Sequence, residues 1–238
     1  MSAAPNPMSQ RTRVKICGLT REQDVDAAVS AGADAVGFVL YPKSPRFVTP
    51  ERAAQLAGRL PPFVTPVLLF VNDASETVRA AVDAVPAALL QFHGDETPQQ
   101  CVDLAAGRPW MRAARIPVDE AQPFDLVHFA AQHPAAQAIL LDAHVEGYGG
   151  GGKTFPWSRL PPSVNAHLVL SGGLTPANVT DGIVQVRPRC KSLAVDVSSG
   201  VEASKGVKDP DKIHQFVAAV RAADVLLARS PHALFFSA

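Results

Sequence analysis

The 238-residue sequence has no excess of charge of either sign, because 22 lysines and arginines are balanced by 22 aspartates and glutamates. A balanced charge provides no broad basic field, which argues against binding to nucleic acid or to an acidic membrane. The sequence also lacks an uninterrupted apolar run of the roughly 18 residues that a membrane span requires. We therefore expect a small-molecule partner, with no nucleic-acid or membrane partner.

Cysteine is scarce as well. Cys17, Cys101 and Cys190 are odd in number and widely spaced, which fits neither a disulfide framework nor a zinc ribbon. The segment from Met1 to Gln10 lacks the apolar core of a signal peptide. Both absences favour a cytoplasmic protein.

Apolar residues, at 47% of the chain, are plentiful enough for a large core. Short β-rich runs alternate with longer helical patterns about eight times. The predicted strands are Val14 to Cys17, Ala35 to Val39, Val67 to Val71, Leu89 to Phe92, Met111 to Ala114, Ile139 to Asp142, Leu168 to Leu170 and Leu193 to Val197. Because the strands are apolar on both faces and helices follow them, the pattern predicts a parallel sheet covered by helices. Eight such units predict a single (β/α)8 TIM barrel of the α/β class.

Several helix starts carry capping signals. A Thr-Pro or Asp-Pro pair predicts a cap followed by proline in the first turn, and capping boxes are predicted where a cap residue is followed three positions later by Gln or Glu. The pairs begin at Thr49, Thr97, Thr175 and Asp209, and the boxes begin at Thr20, Asp73 and Thr97. Only a short turn is predicted from Trp157 to Leu160, and the last helix is predicted from Asp211 to about Ala223. We expect residues 1–11 to form a disordered tail, residues 12–226 the catalytic barrel and residues 227–238 a C-terminal extension.

A glycine-rich segment allows two interpretations. Gly147 to Thr154 matches the phosphate-binding P-loop pattern of nucleotide-hydrolysing enzymes. A P-loop, however, leaves its strand directly and leads into a helix, whereas this strand ends at Asp142 and the segment leads into Phe155-Pro156. The alternative is a strand that ends in a carboxylate, followed by a glycine-rich lid.

The last two strands end in residues that predict a phosphate site. Strand seven is followed by Ser171-Gly172-Gly173, and strand eight runs through Asp196 into Ser199-Gly200. Glycines let backbone amides approach an anion, and TIM barrels hold phosphate near these two strands. Two ordinary glycine-rich turns are the alternative.

A thiol and a carboxyl end two other strands, because Cys17 closes strand one and Asp142 closes strand six. A thiolate is a competent base, and a carboxylic acid can donate a proton, so the two could form an acid-base pair. Alternatively, Cys17 is a small buried apolar residue and Asp142 caps a loop.

Seven segments in order resemble phosphoribosylanthranilate isomerase. They include Lys15 to Thr20, Gly32 to Phe38, Tyr41 to Arg46, Gln91 to Glu96, Leu141-Asp142 with its glycine loop, Ser171 to Leu174 and Asp196 to Glu202. The resemblance implies a (β/α)8 barrel that performs the third step of tryptophan synthesis from chorismate. That step is the Amadori rearrangement of N-(5-phosphoribosyl)anthranilate to 1-(o-carboxyphenylamino)-1-deoxyribulose 5-phosphate, with neither a metal nor an organic cofactor.

The resemblance also assigns roles to residues. It makes Cys17 the general base and Asp142 the general acid, and it implies that Arg46 engages the anthranilate carboxylate. His93 would shape the site and Asp196 would bind a sugar hydroxyl or brace a loop. The phosphate would rest on the backbone near Gly172, Gly173, Ser199 and Gly200.

Other phosphosugar barrels, such as indole-3-glycerol phosphate synthase or a pentose phosphate epimerase, would share the phosphate site. They rely on lysine and glutamate or on metal ligands instead of a strand-one cysteine. A barrel kept as a non-enzymatic binding subunit gains nothing from Cys17, Asp142 and Arg46 together. We expect the protein to be a monomer or a weak dimer.

Overall fold

The structure is a computed structural model that describes residues 11–119, 121–144 and 154–229. Eight parallel strands form a closed barrel in the order β1 to β8. The strands are β1 Arg13–Cys17, β2 Ala35–Val39, β3 Thr65–Phe70, β4 Leu89–Phe92, β5 Trp110–Pro117, β6 Ala138–His144, β7 Val164–Leu170 and β8 Cys190–Val197. The helices are α1 Glu22–Ala31, α2 Pro50–Ala57, α3 Ser75–Ala84, α4 Pro98–Ala105, α5 Leu126–Gln132, α6 Val179–Val186 and α7 Pro210–Arg229. The predicted TIM barrel is confirmed.

The barrel closes where β8 pairs with β1, with Val14 opposite Val195 and Ile16 opposite Val197. Strand residues alternate between two environments, as the two-residue period of a β-strand requires. Outward side chains such as Val14 and Ile16 belong to the large core between sheet and helices. Inward side chains form a separate apolar layer of Val67, Met111, Ala113, Leu140 and Val169. This layer fills the interior below the carboxyl ends of the strands, so polar side chains in the next layers face the barrel mouth.

Three of the predicted helix caps are present. Thr49 accepts from Arg52 N, Thr97 forms a full capping box with Gln100, and the Asp209 carboxylate accepts from two amides at the start of α7. The caps predicted at Thr175, Thr20 and Asp73 are wrong. The helix after Thr175 begins only at Val179, Thr20 donates to Gly206 O, and Asp73 accepts from Val71 N. The Thr20 and Asp73 side chains thus stabilise loops, and the segment after Thr175 is a turn that precedes the helix.

The connections late in the chain agree with the prediction only in part. The short turn predicted around Trp157 is a 3-10 turn, Trp157–Arg159. An unpredicted hairpin of β9 Glu202–Ser204 and β10 Val207–Lys208 joins β8 to α7. The predicted end of the last helix near Ala223 is wrong, because the helix continues to Arg229. Leu227, which is buried, continues its apolar stripe.

The predicted tail lies outside the described residues except for Arg11, and so do residues 230–238 of the predicted extension. No helix in the described ranges is long and apolar enough to cross a membrane.

Candidate active site

The candidate base and acid lie at the mouth of the barrel. Cys17 is the last residue of β1, and Asp142 is near the end of β6. Both side chains are buried and face inward, and their strands are three steps apart around the closed barrel. A substrate in the mouth would therefore be approached by the thiol and the carboxyl from different sides.

The environment of Cys17 acts on its protonation in two directions. Burial raises the pKa of the Cys17 thiol, whereas the neighbouring Lys15 ammonium, which bonds to the sulfur, acts to lower it. Burial prevails, so the resting group is a thiol. Gly37 makes room for this pair, because a methyl group at that position would lie 2.7 Å from Cys17 Sγ and 3.1 Å from Lys15 Nζ.

Asp196 ties three strands together beneath the mouth. One carboxylate oxygen accepts from Lys15 Nζ of β1 at 2.8 Å, and the other accepts from the Ser171 hydroxyl after β7 at 3.0 Å. Burial alone would lower the pKa of Lys15, but the charge of Asp196 and its hydrogen bond to the ammonium raise that pKa. Of the two roles predicted for Asp196, the bracing role is the one these contacts fit.

Asp142 is the end of a chain of side-chain hydrogen bonds. His93 Nε2 lies 3.0 Å from Asp142 Oδ2, and His93 Nδ1 lies 2.9 Å from Gln91 Nε2. An amide nitrogen donates and does not accept, so Nδ1 is the acceptor and the ring hydrogen is on Nε2. His93 thus donates to the Asp142 carboxylate. The structure brings together the predicted acid and the histidine predicted to shape the site.

Arg46 forms a buried, bidentate ion pair with Glu202. Its Nε and Nη2 lie 2.7 and 2.8 Å from the two carboxylate oxygens, so Nη1 is the guanidinium nitrogen outside this pair. Lys208 Nζ lies 2.8 Å from the same carboxylate and also donates to Ser198. Burial acts to raise the pKa of Glu202, but Arg46 and Lys208 hold it below its ordinary value. Burial lowers the pKa of Lys208 even though Glu202 opposes the change.

Arg46 also lies against the strand that carries the thiol. A methyl group added at Gly18 would overlap the Cδ atom of Arg46. Arg46 therefore lies beside the end of β1, against the residue that follows Cys17 in the chain.

The glycine-rich ends of β7 and β8 meet as predicted. Gly172 and Gly173 have φ values of 77° and 66°, where a side chain would be strained. A methyl group at Gly200 would overlap the Leu174 carbonyl oxygen, and one at Gly172 would lie 2.6 Å from Ala143 N. Ser199 begins the 3-10 turn Ser199–Val201. The two loops therefore pack backbone against backbone, beside the end of the Asp142 strand.

The sequence interpretation gave no role to four polar residues that support the site: Lys15, Gln91, Glu202 and Lys208. It placed Ser171 in the phosphate site, whereas the Ser171 hydroxyl donates to Asp196. Lys15 and Gln91 had a usable signal, because each is polar in an apolar strand and lies two residues before a site residue on the same face. The Glu202 and Lys208 contacts depend on the unpredicted hairpin. The described residues hold no group of three or more histidines, cysteines or acidic residues placed to bind a metal ion.

The glycine-rich segment gives no further test of its two interpretations. Residues 147–153, which carry both the P-loop pattern and the proposed lid, lie outside the described residues. Only its last member, Thr154, is described, and it is exposed.

Comparison with known proteins matches this architecture. Residues 14–219 match the family model for N-(5'-phosphoribosyl)anthranilate (PRA) isomerase. The N-(5'-phosphoribosyl)anthranilate isomerase of Methylibium petroleiphilum is 62% identical over 220 residues, covering 92% of this chain and 99% of the relative.

Two solved structures share the fold over 89% of this chain and 99% of their own length. The crystal structure of phosphoribosyl anthranilate isomerase from Thermotoga maritima has a TM-score of 0.77 at 42% identity. A second structure, of phosphoribosyl anthranilate isomerase in complex with reduced 1-(o-carboxyphenylamino)-1-deoxyribulose 5-phosphate, has a TM-score of 0.72 at 38% identity.

Proposed function

Because the chain belongs to the phosphoribosylanthranilate isomerase family, we propose that Cys17 and Asp142 are the base and acid of its reaction. The protein is an aldose-ketose isomerase of tryptophan biosynthesis, which converts N-(5'-phosphoribosyl)anthranilate to 1-(o-carboxyphenylamino)-1-deoxyribulose 5-phosphate. The observation that carries the assignment is the placement of a buried thiol and a buried carboxyl at the same mouth, on separate strands.

Ring opening is the first step. Asp142, as the carboxylic acid, gives its proton to the ribose ring oxygen, and the bond between this oxygen and C1 breaks. The anthranilate nitrogen supplies an electron pair to C1, so a protonated imine forms and Asp142 is left as a carboxylate. The His93 Nε2–H, 3.0 Å from Asp142 Oδ2, stabilises that carboxylate.

Proton abstraction is the second step. The Cys17 thiolate removes the proton from C2, and the electron pair of the C–H bond moves toward the cationic imine to give an enolamine. Proton return to C1 and loss of the enol proton then give the ketone, so the reaction is a net isomerisation. The positive imine acidifies the C2 proton, and a modest base therefore suffices.

The charged side chains around the thiol support its role as the base. Lys15 bonds to the Cys17 sulfur, and the charge of Lys208 also acts to lower the pKa of Cys17. These two cations favour the thiolate against burial, which raises the thiol pKa. The same low-dielectric surroundings strengthen the attraction between a thiolate and a cationic imine once the substrate is bound.

The two ends of the substrate have different sites in this proposal. The phosphate rests on the backbone of Gly172, Gly173, Ser199 and Gly200, whose close loop packing leaves no space for side chains at two of the glycines. The anthranilate carboxylate is bound by Arg46, through the nitrogen that the Glu202 pair does not use. Asp196 braces the site through Lys15 and Ser171.

The setting of the enzyme follows from its composition and its substrate. We place it in the cytoplasm, as a monomer or weak dimer that acts on a small phosphosugar and binds no nucleic acid. The balanced charge of 22 basic and 22 acidic residues supports the last point.

The experiment that tests the function follows the fluorescence of phosphoribosylanthranilate with the purified protein. The account predicts rapid loss of fluorescence with formation of the ketone product, at a rate proportional to enzyme concentration. Circular dichroism of the same sample checks that the barrel is folded. Folded protein without turnover would refute the proposed function.

A further inference from the structure

We propose that Gln91 is a positioning residue for the general acid, which acts by fixing the tautomer of His93 so that the transferable proton of Asp142 is kept on Oδ1. The proposal rests on the proposed function, because it assigns Asp142 the role of acid. It adds a residue inside the barrel that touches neither the substrate nor the reacting atoms.

Gln91 is an unusual residue for its position. It is fully buried on β4, and its neighbours in the strand are apolar. Its side-chain nitrogen lies 2.9 Å from His93 Nδ1, whereas its side-chain oxygen has no hydrogen-bond partner within the described residues. An unpartnered buried amide oxygen lowers the stability of the fold. The buried amide of Gln91 is thus held by its hydrogen bond to His93.

The hydrogen bonds determine where the ring hydrogen lies. With the Gln91 amide donating, Nδ1 must accept and Nε2 carries the hydrogen, which it donates to Asp142 Oδ2. A carboxyl oxygen that accepts this bond is a poor site for a second hydrogen. The acidic proton of Asp142 therefore resides on Oδ1.

The other oxygen faces the substrate site. A methyl group added at Gly172 would lie 2.9 Å from Asp142 Oδ1, so this oxygen points to the glycine loop after β7. That loop is part of the proposed phosphate site. A proton on Oδ1 is thus directed into the mouth, where the ribose would lie between the phosphate and the thiol.

The opposite amide orientation would give a different acid. If the oxygen of Gln91 accepted from Nδ1–H, Nε2 would become an acceptor. Asp142 could then satisfy it only by donating a hydrogen from Oδ2. The acidic proton would be held by His93 and directed away from the ribose. Gln91 thus distinguishes a competent acid from an incompetent one without changing the positions of the heavy atoms.

Other titratable and charged side chains near the Gln91–His93–Asp142 hydrogen bonds have partners of their own, and the test leaves them unchanged. From β5, Arg115 is the register partner of Asp142 and is paired with Asp95. Among the described residues, other titratable groups at the mouth include Glu96, held by Arg112 and by two backbone amides; Asp196, held by Lys15 and Ser171; and the Cys17 thiol across the barrel.

The test uses two variants of nearly equal size. Gln91→Met removes the donor, so His93 loses its fixed tautomer, and we expect kcat to fall about ten- to a hundredfold with KM changed less than about threefold. Gln91→Glu can donate to Nδ1 only while its carboxyl is protonated. We therefore expect the kcat of this variant to approach that of the parent at acidic pH. As pH rises and the introduced carboxyl ionises, kcat should fall at a lower pH than it does in the parent. Gln55→Glu, the same substitution on the exposed surface of α2, should leave the profile unchanged.

The tautomer is measured directly in the resting protein by ¹⁵N NMR, with the His93 resonances identified by their loss in His93→Asn. We expect an unprotonated Nδ1 and a protonated Nε2 in the parent, and a mixture of tautomers in Gln91→Met. A parent ring protonated on Nδ1, or parent-like kcat-pH profiles in the folded Gln91 variants, would overturn the proposal. If Gln91→Met does not fold, Gln91→Glu decides alone. Because NMR needs no turnover, this result is separate from the test of the proposed function.

Discussion

Single residues determine whether the mouth of this barrel can do acid-base chemistry, and Cys17 is the clearest case. Its thiol is buried beside Lys15, and burial raises its pKa although the ammonium opposes the change. The proposed base is therefore protonated in the resting enzyme. It acts as the base only as the thiolate, which forms when the thiol releases its proton to solvent, and the charges of Lys15 and Lys208 favour that loss.

This environment predicts the titration of Cys17. Because the pKa is raised, thiolate should form only as pH rises above the ordinary value of about 8.5. The thiolate ultraviolet absorbance of the protein, minus that of Cys17→Ser, isolates this group from the two other buried cysteines. A Cys17 midpoint below about pH 8 would show that Lys15 and Lys208 prevail over burial, contrary to the account.

Residues at strand ends could be placed at the site from the sequence, whereas the partners of polar residues within strands could not. Cys17, Asp142 and the glycines after β7 follow apolar runs, so the parallel barrel alone places them at one mouth. Lys15 and Gln91 lie inside the runs, and their importance depends on groups from other strands: Asp196 for Lys15, and Asp142, reached through His93, for Gln91. Partners so far apart in the chain are set by the barrel register, which the sequence pattern does not specify.

Secondary-structure elements position these residues, and their ends are held by local capping. The sequence predicted the cap at Thr97 correctly, because its capping box with Gln100 and the following Pro98 are present in the structure. The signals at Thr20, Asp73 and Thr175 have the same residue types but do not cap. At Thr20 the hydroxyl instead bonds to Gly206 in the hairpin after β8, a contact that no local pattern could predict.

The capping box at Thr97 predicts a measurable contribution to stability. Thr97→Ala removes the hydroxyl that accepts from Gln100 N, and it should lower the free energy of unfolding by about 1 kcal/mol. Thr97→Ser keeps the acceptor and should cost much less. The control Thr175→Ala, at a predicted cap that did not form, should change the value by under about 0.5 kcal/mol. Urea denaturation gives these values, and equal losses for Thr97→Ala and Thr175→Ala would contradict the assignment.

At the scale of the whole molecule, the closed barrel is what joins the two halves of the site. The thiol comes from β1 and the carboxyl from β6, and neither is near the other in the sequence. The closure between β8 and β1 is reinforced inside the barrel by the Lys15–Asp196 pair, which has both charges buried. On the outside, α7 packs against α1 and α6 across the same closure. The fold thereby keeps the proposed base and the proposed acid on separate walls of one mouth.

The turnover number of the Cys17→Ala and Asp142→Ala variants, measured by loss of phosphoribosylanthranilate fluorescence, tests this arrangement most directly. Each substitution removes one proton-transfer group, so we predict that kcat falls by about a hundredfold or more while circular dichroism still reports a folded barrel. The double variant should be little worse than the poorer single variant, because the two groups serve one reaction sequence. A folded Cys17→Ala or Asp142→Ala protein that keeps kcat within a factor of about ten of the parent would contradict the account.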